Sequence, residues 1–199
     1  MKEFWNSRFG AEEYAYGETP NVFFKQQLDT LPAGKLLMPA EGEGRNAVYA
    51  ATRGWQVTAF DISEEGRKKA LRLAEKRGTS LEYLLQSFGE TVFPEGSFDC
   101  VGLIYAHAPA NWRPVHHRKA VSFLRPGGTI ILEGFSKTQL GNPSGGPQDI
   151  SMLFSEEELR DDFAGLENLQ IWYEETTLDE GPYHRGKASL VRLIGQKPQ

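Results

Sequence analysis

From Lys35 onward, short apolar runs alternate with longer stretches in which apolar residues recur every three or four positions. The runs suit buried strands and the recurring pattern suits amphipathic helices, so their alternation predicts a parallel α/β sheet. Residues 35–40, 56–61, 81–85, 98–105 and 129–134 read as five strands. Residues 45–53 carry the small Ala47, Ala50 and Ala51, which predicts a helix packed close to the sheet. Ser63 predicts the cap of a helix with Ala70, Leu71, Leu73 and Ala74 on its core side and Gly78 at its end. Residues 115–124 read as a further helix. Ahead of the first strand, residues 20–31 read as a helix with Thr19 as cap and Pro20 in the first position.

The alternation breaks near the end of the chain. Ser155 and Glu158 form a capping-box signature for a short helix through Phe163. Residues 169–177 and 188–194 are strand-like, and the Gly- and Pro-bearing loop between them has no room for a crossover helix, so they should pair antiparallel. The expectation is a Rossmann-like, mostly parallel seven-stranded sheet with helices on both faces and a C-terminal antiparallel hairpin. Residues 1–199 read as one domain, with 35–199 as its core and 1–31 as a covering segment. In the loop 137–146, Leu140 is the only large apolar side chain, so that loop reads as a mobile lid.

Composition narrows the partners. A net charge of -5 gives no bulk attraction to nucleic acid or to an anionic membrane surface. Cys100 is the only cysteine and lies inside a predicted strand, which removes disulfides and cysteine metal clusters and leaves a buried inert thiol. No run approaches the roughly 20 apolar residues of a membrane span, and residues 1–10 lack the apolar stretch of a signal peptide. The expected location is the cytoplasm.

Candidate chemistry begins at the turn after the first strand, Ala40-Glu41-Gly42-Glu43-Gly44-Arg45-Asn46. Two glycines flanking one residue let backbone approach a ligand, and the following helix start offers free N–H groups. A tight structural turn is the plain alternative. Asp61 ends the second strand, where a carboxylate can accept hydrogen bonds from ribose hydroxyls. Phe93-Pro94-Glu95-Gly96-Ser97-Phe98-Asp99 leads into the fourth strand, and Leu124-Arg125-Pro126-Gly127-Gly128-Thr129 into the fifth.

With these segments in this order, the chain resembles the class I methyltransferases, and within them the tellurite-resistance and thiopurine-type small-molecule branch. Phe4-Trp5-Asn6-Ser7-Arg8-Phe9 and the run from Tyr14 through Tyr16 to Asn21 are similar to that branch's cofactor-covering segment. Glu180-Gly181-Pro182-Tyr183-His184-Arg185-Gly186-Lys187 is similar to its last turn. The resemblance implies S-adenosyl-L-methionine as cofactor and a small-molecule methyl acceptor with a sulfur, selenium or tellurium, or oxygen nucleophile. It implies cofactor contacts at Tyr16, Ala40, Glu41, Gly42, Gly44, Asn46, Asp61, Ile62, Ser87, Phe88 and Tyr105. The chain departs from the branch at Met38, where an acid is usual, at Ala40, where a glycine is usual, and at Ser87, where an acid usually meets adenine.

Tyr105, His107, His184 and Arg185 are the candidate catalytic residues. His107 leaves the C-terminal edge of the fourth strand, where ligands of open α/β sheets bind, and is a candidate general base. Arg185 is a candidate for binding an anionic acceptor. His116 and His117 read as solvated helix face, and no His and carboxylate spacing makes a metal site. Two other readings are weighed. A protein that binds S-adenosylmethionine without turnover is motivated by the three departures. A nicotinamide-dependent oxidoreductase of the short-chain type would want a Lys four residues after its Tyr, and Tyr105 is followed by Pro109. No exposed apolar stripe stands out, so a monomer or weak dimer is expected.

Overall fold

The computed structural model describes all 199 residues. Seven strands form one sheet: β1 Lys35–Pro39, β2 Gln56–Asp61, β3 Glu82–Leu85, β4 Phe98–Ile104, β5 Leu124–Phe135, β6 Glu167–Asp179 and β7 Arg185–Gln196. Their spatial order is β3-β2-β1-β4-β5-β7-β6. Strands β1 to β5 pair in parallel, whereas β7 runs antiparallel to both β5 and β6. The order reverses between β1 and β4, and the crevice outside the carboxyl ends of those strands is where such sheets hold ligands.

Helices α1 Lys2–Phe9, α2 Val22–Leu28, α3 Arg45–Thr52, α4 Glu64–Lys76, α5 Arg113–Phe123 and α6 Glu156–Asp162 flank the sheet. Alternate strand residues point to opposite faces, which builds two cores from each apolar run. Leu36, Met38, Cys100 and Ile131 pack with Phe23, Phe24, Ala47, Ala50 and Ala70 on the side of α2, α3 and α4. Leu37, Val101, Leu103, Ile130 and Leu132 pack with Ala120, Phe123, Leu159 and Phe163 on the side of α5 and α6. The expected caps at Ser63 and Ser155 are present, the latter as a full capping box with Glu158.

Several expectations need correction. The second helix starts at Val22 and is capped by the Asn21 side chain, which accepts from Phe24 N–H; Thr19 and Pro20 lie before it. The first ten residues include a helix, α1, that lacks the strong amphipathic pattern by which helices announce themselves. The loop 137–146 is tied down. Gln139 and Ser144 are buried, Gln139 Oε1 accepts from Ser189 N–H, and Ser144 Oγ donates to the Lys187 carbonyl. Its polar side chains supply the anchorage that apolar counting misses. His117 is also buried, with Nδ1 at 2.8 Å from Asp162 Oδ2, which accepts from Arg113 Nε as well. It joins α5 to α6 and is not solvated helix face.

Candidate active site

The turn after β1 brings a carboxylate onto a helix start. Glu41 Oε1 accepts from Asn46 N–H at 2.9 Å and Ala47 N–H at 2.7 Å, so the N–H groups expected to be free are occupied by the chain's own side chain. Glu41 is buried, and loss of water pushes its pKa up to about 7 against those two hydrogen bonds. Gly42 and Gly44 both adopt positive φ. A Cβ on Gly42 would meet the Phe9 ring at 2.9 Å, and one on Gly44 would meet Ala70 Cβ at 2.5 Å. Ala40 also has a positive φ of 52°, which accounts for the usual glycine at that position. Met38 is fully buried among apolar groups, a surrounding that suits a thioether.

Glu43, between the two glycines, holds the covering segment. Its carboxylate accepts from Ala15 N–H at 2.8 Å and pairs with Lys69 Nζ at 2.7 Å, and that ammonium also donates to the Glu13 carbonyl. From α1, Asn6 Oδ1 accepts from the Ser63 hydroxyl. The segment therefore closes directly over the glycine turn.

Asp61, at the end of β2, accepts from Gly42 N–H at 3.1 Å and Ser63 N–H at 2.8 Å. Burial raises its pKa while these backbone bonds oppose the rise. Ile62 follows it at the same edge. Further along, Ser87 Oγ donates to Glu90 Oε2 at 2.6 Å and Ser87 N–H donates to the same oxygen. Phe88 stacks on the His116 ring, with centroids 4.4 Å apart and planes 7° from parallel.

The C-terminal edges of β4 and β5 and the turn from β6 to β7 enclose a buried polar cluster. Glu180 lies at its centre: Oε2 is 2.9 Å from Arg45 Nη2 and 3.4 Å from His184 Nδ1, and Oε1 accepts from Asn21 Nδ2. Burial pushes the Glu180 pKa up, but His184 and Arg45 outweigh it and hold the carboxyl at about 2. Desolvation lowers the pKa of His184. An ionised carboxylate thus faces a neutral imidazole, so Nδ1 donates and Nε2 keeps the lone pair. Glu133, in mid-sheet, accepts from Asn21, Tyr105 and Arg192. The rings of Tyr16 and Tyr105 lie 4.3 and 4.5 Å from that of His184, and Phe135 closes the group at 5.2 Å. Tyr105 has a φ of 53°, a strained backbone that turns its side chain into the cluster.

Tyr16, Tyr105 and His184 are therefore brought together, as their candidacy requires. Two other candidates are not. His107 Nδ1 lies 2.8 Å from the Met152 carbonyl, and Nε2 accepts from Phe135 N–H at 3.0 Å. Both ring nitrogens are engaged, and burial lowers its pKa to about 4, so His107 is a neutral structural link with no lone pair to offer. Arg185 is exposed and faces Asp179 at 3.3 Å, away from the cluster. The buried guanidinium is Arg45 instead. Sequence reasoning quoted Asn21 and Glu180 within matching segments but gave them no role, and it missed Glu133 and Arg192. Glu133 leaves one signal, a lone charge directly after the apolar run Ile130-Ile131-Leu132 within the fifth strand.

Comparison with known proteins finds likenesses to methyltransferases. Residues 37–128 match the family model described as a methyltransferase domain. Thiocyanate methyltransferase 1 of Brassica oleracea is 25% identical over 184 residues, covering 87% of this chain and 75% of that protein. A structure solved in a study of the conversion of a disulfide bond into a thioacetal group during echinomycin biosynthesis covers 100% of this chain and 92% of its own, with a TM-score of 0.76 and 17% identity. TehB from Haemophilus influenzae covers 98% of this chain and 66% of its own, with a TM-score of 0.71 and 17% identity. Residues 37–128 thus match a methyltransferase domain, and that match, the Brassica relative and the shared fold together support an S-adenosylmethionine-dependent methyltransferase. No helix is long and apolar enough to cross a membrane.

Proposed function

We propose that this chain methylates a small molecule at a soft nucleophile, with a thiol-type sulfur ahead of selenium, tellurium and oxygen. The carrying observation is the Glu180–His184 pair set between Tyr16 and Tyr105. The printed names of the Brassica relative and of the echinomycin study, both concerned with sulfur, support sulfur over the other nucleophiles.

The residues present fit the cofactor. Each Asp61 oxygen accepts one backbone hydrogen bond and retains a lone pair for a ribose hydroxyl. Gly42, Gly44 and Asn46 would lie below the cofactor, Phe9 and Tyr16 would cover it, and Ile62, Ser87 and Phe88 would flank its adenine. S-adenosylmethionine, when bound, supplies an electrophilic methyl carbon on a sulfonium. The protein's main task is to align a nucleophile with it, which can contribute several kcal/mol. His184 Nε2 takes the proton of a thiol or hydroxyl acceptor, and Glu180 fixes the tautomer and stabilises the imidazolium. Tyr105, donating to Glu133, closes the wall beside the acceptor.

The test compares acceptors with and without a proton to lose. The chain, with S-adenosylmethionine, is offered an alkyl thiol, a small carboxylic acid, tellurite and thiocyanate, and methylated products are followed by mass spectrometry. His184→Gln should slow the alkyl thiol reaction by roughly 10²–10⁴-fold and leave thiocyanate turnover nearly intact. Equal loss for both acceptors would remove His184 as the base. Product from the acid alone would move the acceptor to oxygen.

A further inference from the structure

Among the buried side chains of the cluster, Arg45 has a donor left over. It is 6% exposed, its Nη2 is paired with Glu180 at 2.9 Å, and its Nη1 has no hydrogen-bond partner. Arg113 also has a buried Nη1 without a well-aligned bond, but Glu158 Oε1 stands 3.1 Å from it. Arg45 is ion-paired with Glu180 alone. A buried, charged N–H without an acceptor destabilises the fold, so its retention calls for a partner that arrives from outside.

The surroundings say what that partner is. Arg45 Nη2 and His184 Nδ1 both lie within 3.4 Å of the same oxygen, Glu180 Oε2, so the guanidinium and the imidazole stand side by side. Glu180 is matched by Arg45, and Arg192 pairs with both Glu133 and Glu174. One negative charge more is balanced when His184 becomes an imidazolium. The aromatic rings of Tyr16 and Tyr105 flank the imidazole of the pair. The β6–β7 turn that carries Glu180 and His184 docks on the covering segment, with Tyr183 N–H donating to the Ala15 carbonyl.

We propose that Arg45 Nη1 is an anion subsite, taking an oxygen or sulfur of a small carboxylate or thiolate-type anion, with His184 as the neighbouring proton acceptor. The inference rests on the reading of this cluster as the methyl-transfer site. When the anion forms from a neutral thiol, the S–H bond breaks, the proton passes to His184 Nε2 and the electron pair stays on sulfur beside Arg45. The same chemistry has two sources, the carboxylate of the cofactor's own methionine part and an anionic acceptor.

The experiment uses the full chain as wild type, as Arg45→Lys, and as the double variant Arg45→Gln with Glu180→Gln, which strands no charge. Calorimetry titrates each with S-adenosylmethionine and decarboxylated S-adenosylmethionine, and then titrates the S-adenosylhomocysteine complex with sodium thiocyanate. Thermal melting of the unloaded proteins in sodium formate, against sodium chloride at equal ionic strength, tests the anion alone and reports folding. A tenfold or greater loss for S-adenosylmethionine in the double variant, with the decarboxylated ligand unaffected, assigns the subsite to the cofactor's carboxylate. A similar loss for thiocyanate alone assigns it to the acceptor. Arg45→Lys should recover part of either loss. Equal affinities for every ligand in a cooperatively melting double variant, with no formate effect distinct to wild type, overturn the subsite. A formate effect in wild type without binding of any adenosyl ligand would keep the subsite and overturn the methyl-transfer reading.

Discussion

Glu41 is a carboxylate placed where its charge is useful to a helix and unwelcome to its surroundings. Its folded pKa of about 7 lies above the ordinary value of 4.5. A raised pKa means that the folded state binds the proton more tightly. The resulting stability is full below pH 4.5 and is lost as pH rises through 7, a change on the order of 3 kcal/mol. Glu41→Gln keeps the acceptor oxygen and removes the titration. The wild type should therefore lose stability relative to this variant between pH 5 and pH 8, as read by chemical denaturation at each pH. His107 gives the opposite case. Its pKa is lowered to about 4, so its contribution is full above the usual value near 6.5 and is lost as pH falls through 4. With both ring nitrogens bonded, His107→Ala should destabilise the chain by about 2–3 kcal/mol, measured by urea unfolding. Asp61→Ala should weaken S-adenosylmethionine binding by about 1–3 kcal/mol in calorimetry. Unchanged affinity would end its assignment to the ribose.

At the scale of elements, the covering segment and the glycine turn behave as one unit because Glu43 and Lys69 are both nearly buried. Their side chains are 3% and 6% exposed. Removing one partner of such a pair leaves a buried charge and typically costs about 3–5 kcal/mol. Lys69→Met should therefore free the segment before Thr19. Limited proteolysis should cut the variant there well before the rest of the chain, whereas wild type should resist. Most elements were legible in the sequence. The parallel strands are buried on both faces and so read as unbroken apolar runs, and the antiparallel hairpin follows from a connection too short for a helix. What escaped detection was held by polar contacts. Helix α1 has little periodicity of its own and docks through Asn6 and Phe9. The 137–146 loop looks free in sequence and is fastened by Gln139 and Ser144.

The whole molecule joins the glycine turn, the covering segment and the β6–β7 turn in one closed arrangement. A ligand that binds only this folded state stabilises all of it. S-adenosylhomocysteine at 100 times its Kd should add about 2.7 kcal/mol and raise the melting temperature by roughly 5–10 °C for a chain of this length. A melting curve without that shift at saturation would mean that the ligand binds the unfolded chain equally well or does not bind.

The fold class, the strand ends that face the ligand crevice, the glycine turn and Asp61 were set by the sequence alone. They follow from local rules: apolar periodicity, capping side chains, and glycine where backbone must turn. The acceptor side was decided only in three dimensions. Tyr105 and His184 were candidates in the sequence, but Asn21, Arg45, Glu133 and Arg192 lie far from them along the chain, and only the i,i+4 pair Glu180 and His184 is local. His107 and Arg185, two residues after Tyr105 and one after His184, are taken up elsewhere, by a carbonyl and a neighbouring N–H in one case and by solvent and Asp179 in the other. A side chain's proton, charge and direction depend on what desolvates and bonds it, and those groups are neighbours only after folding.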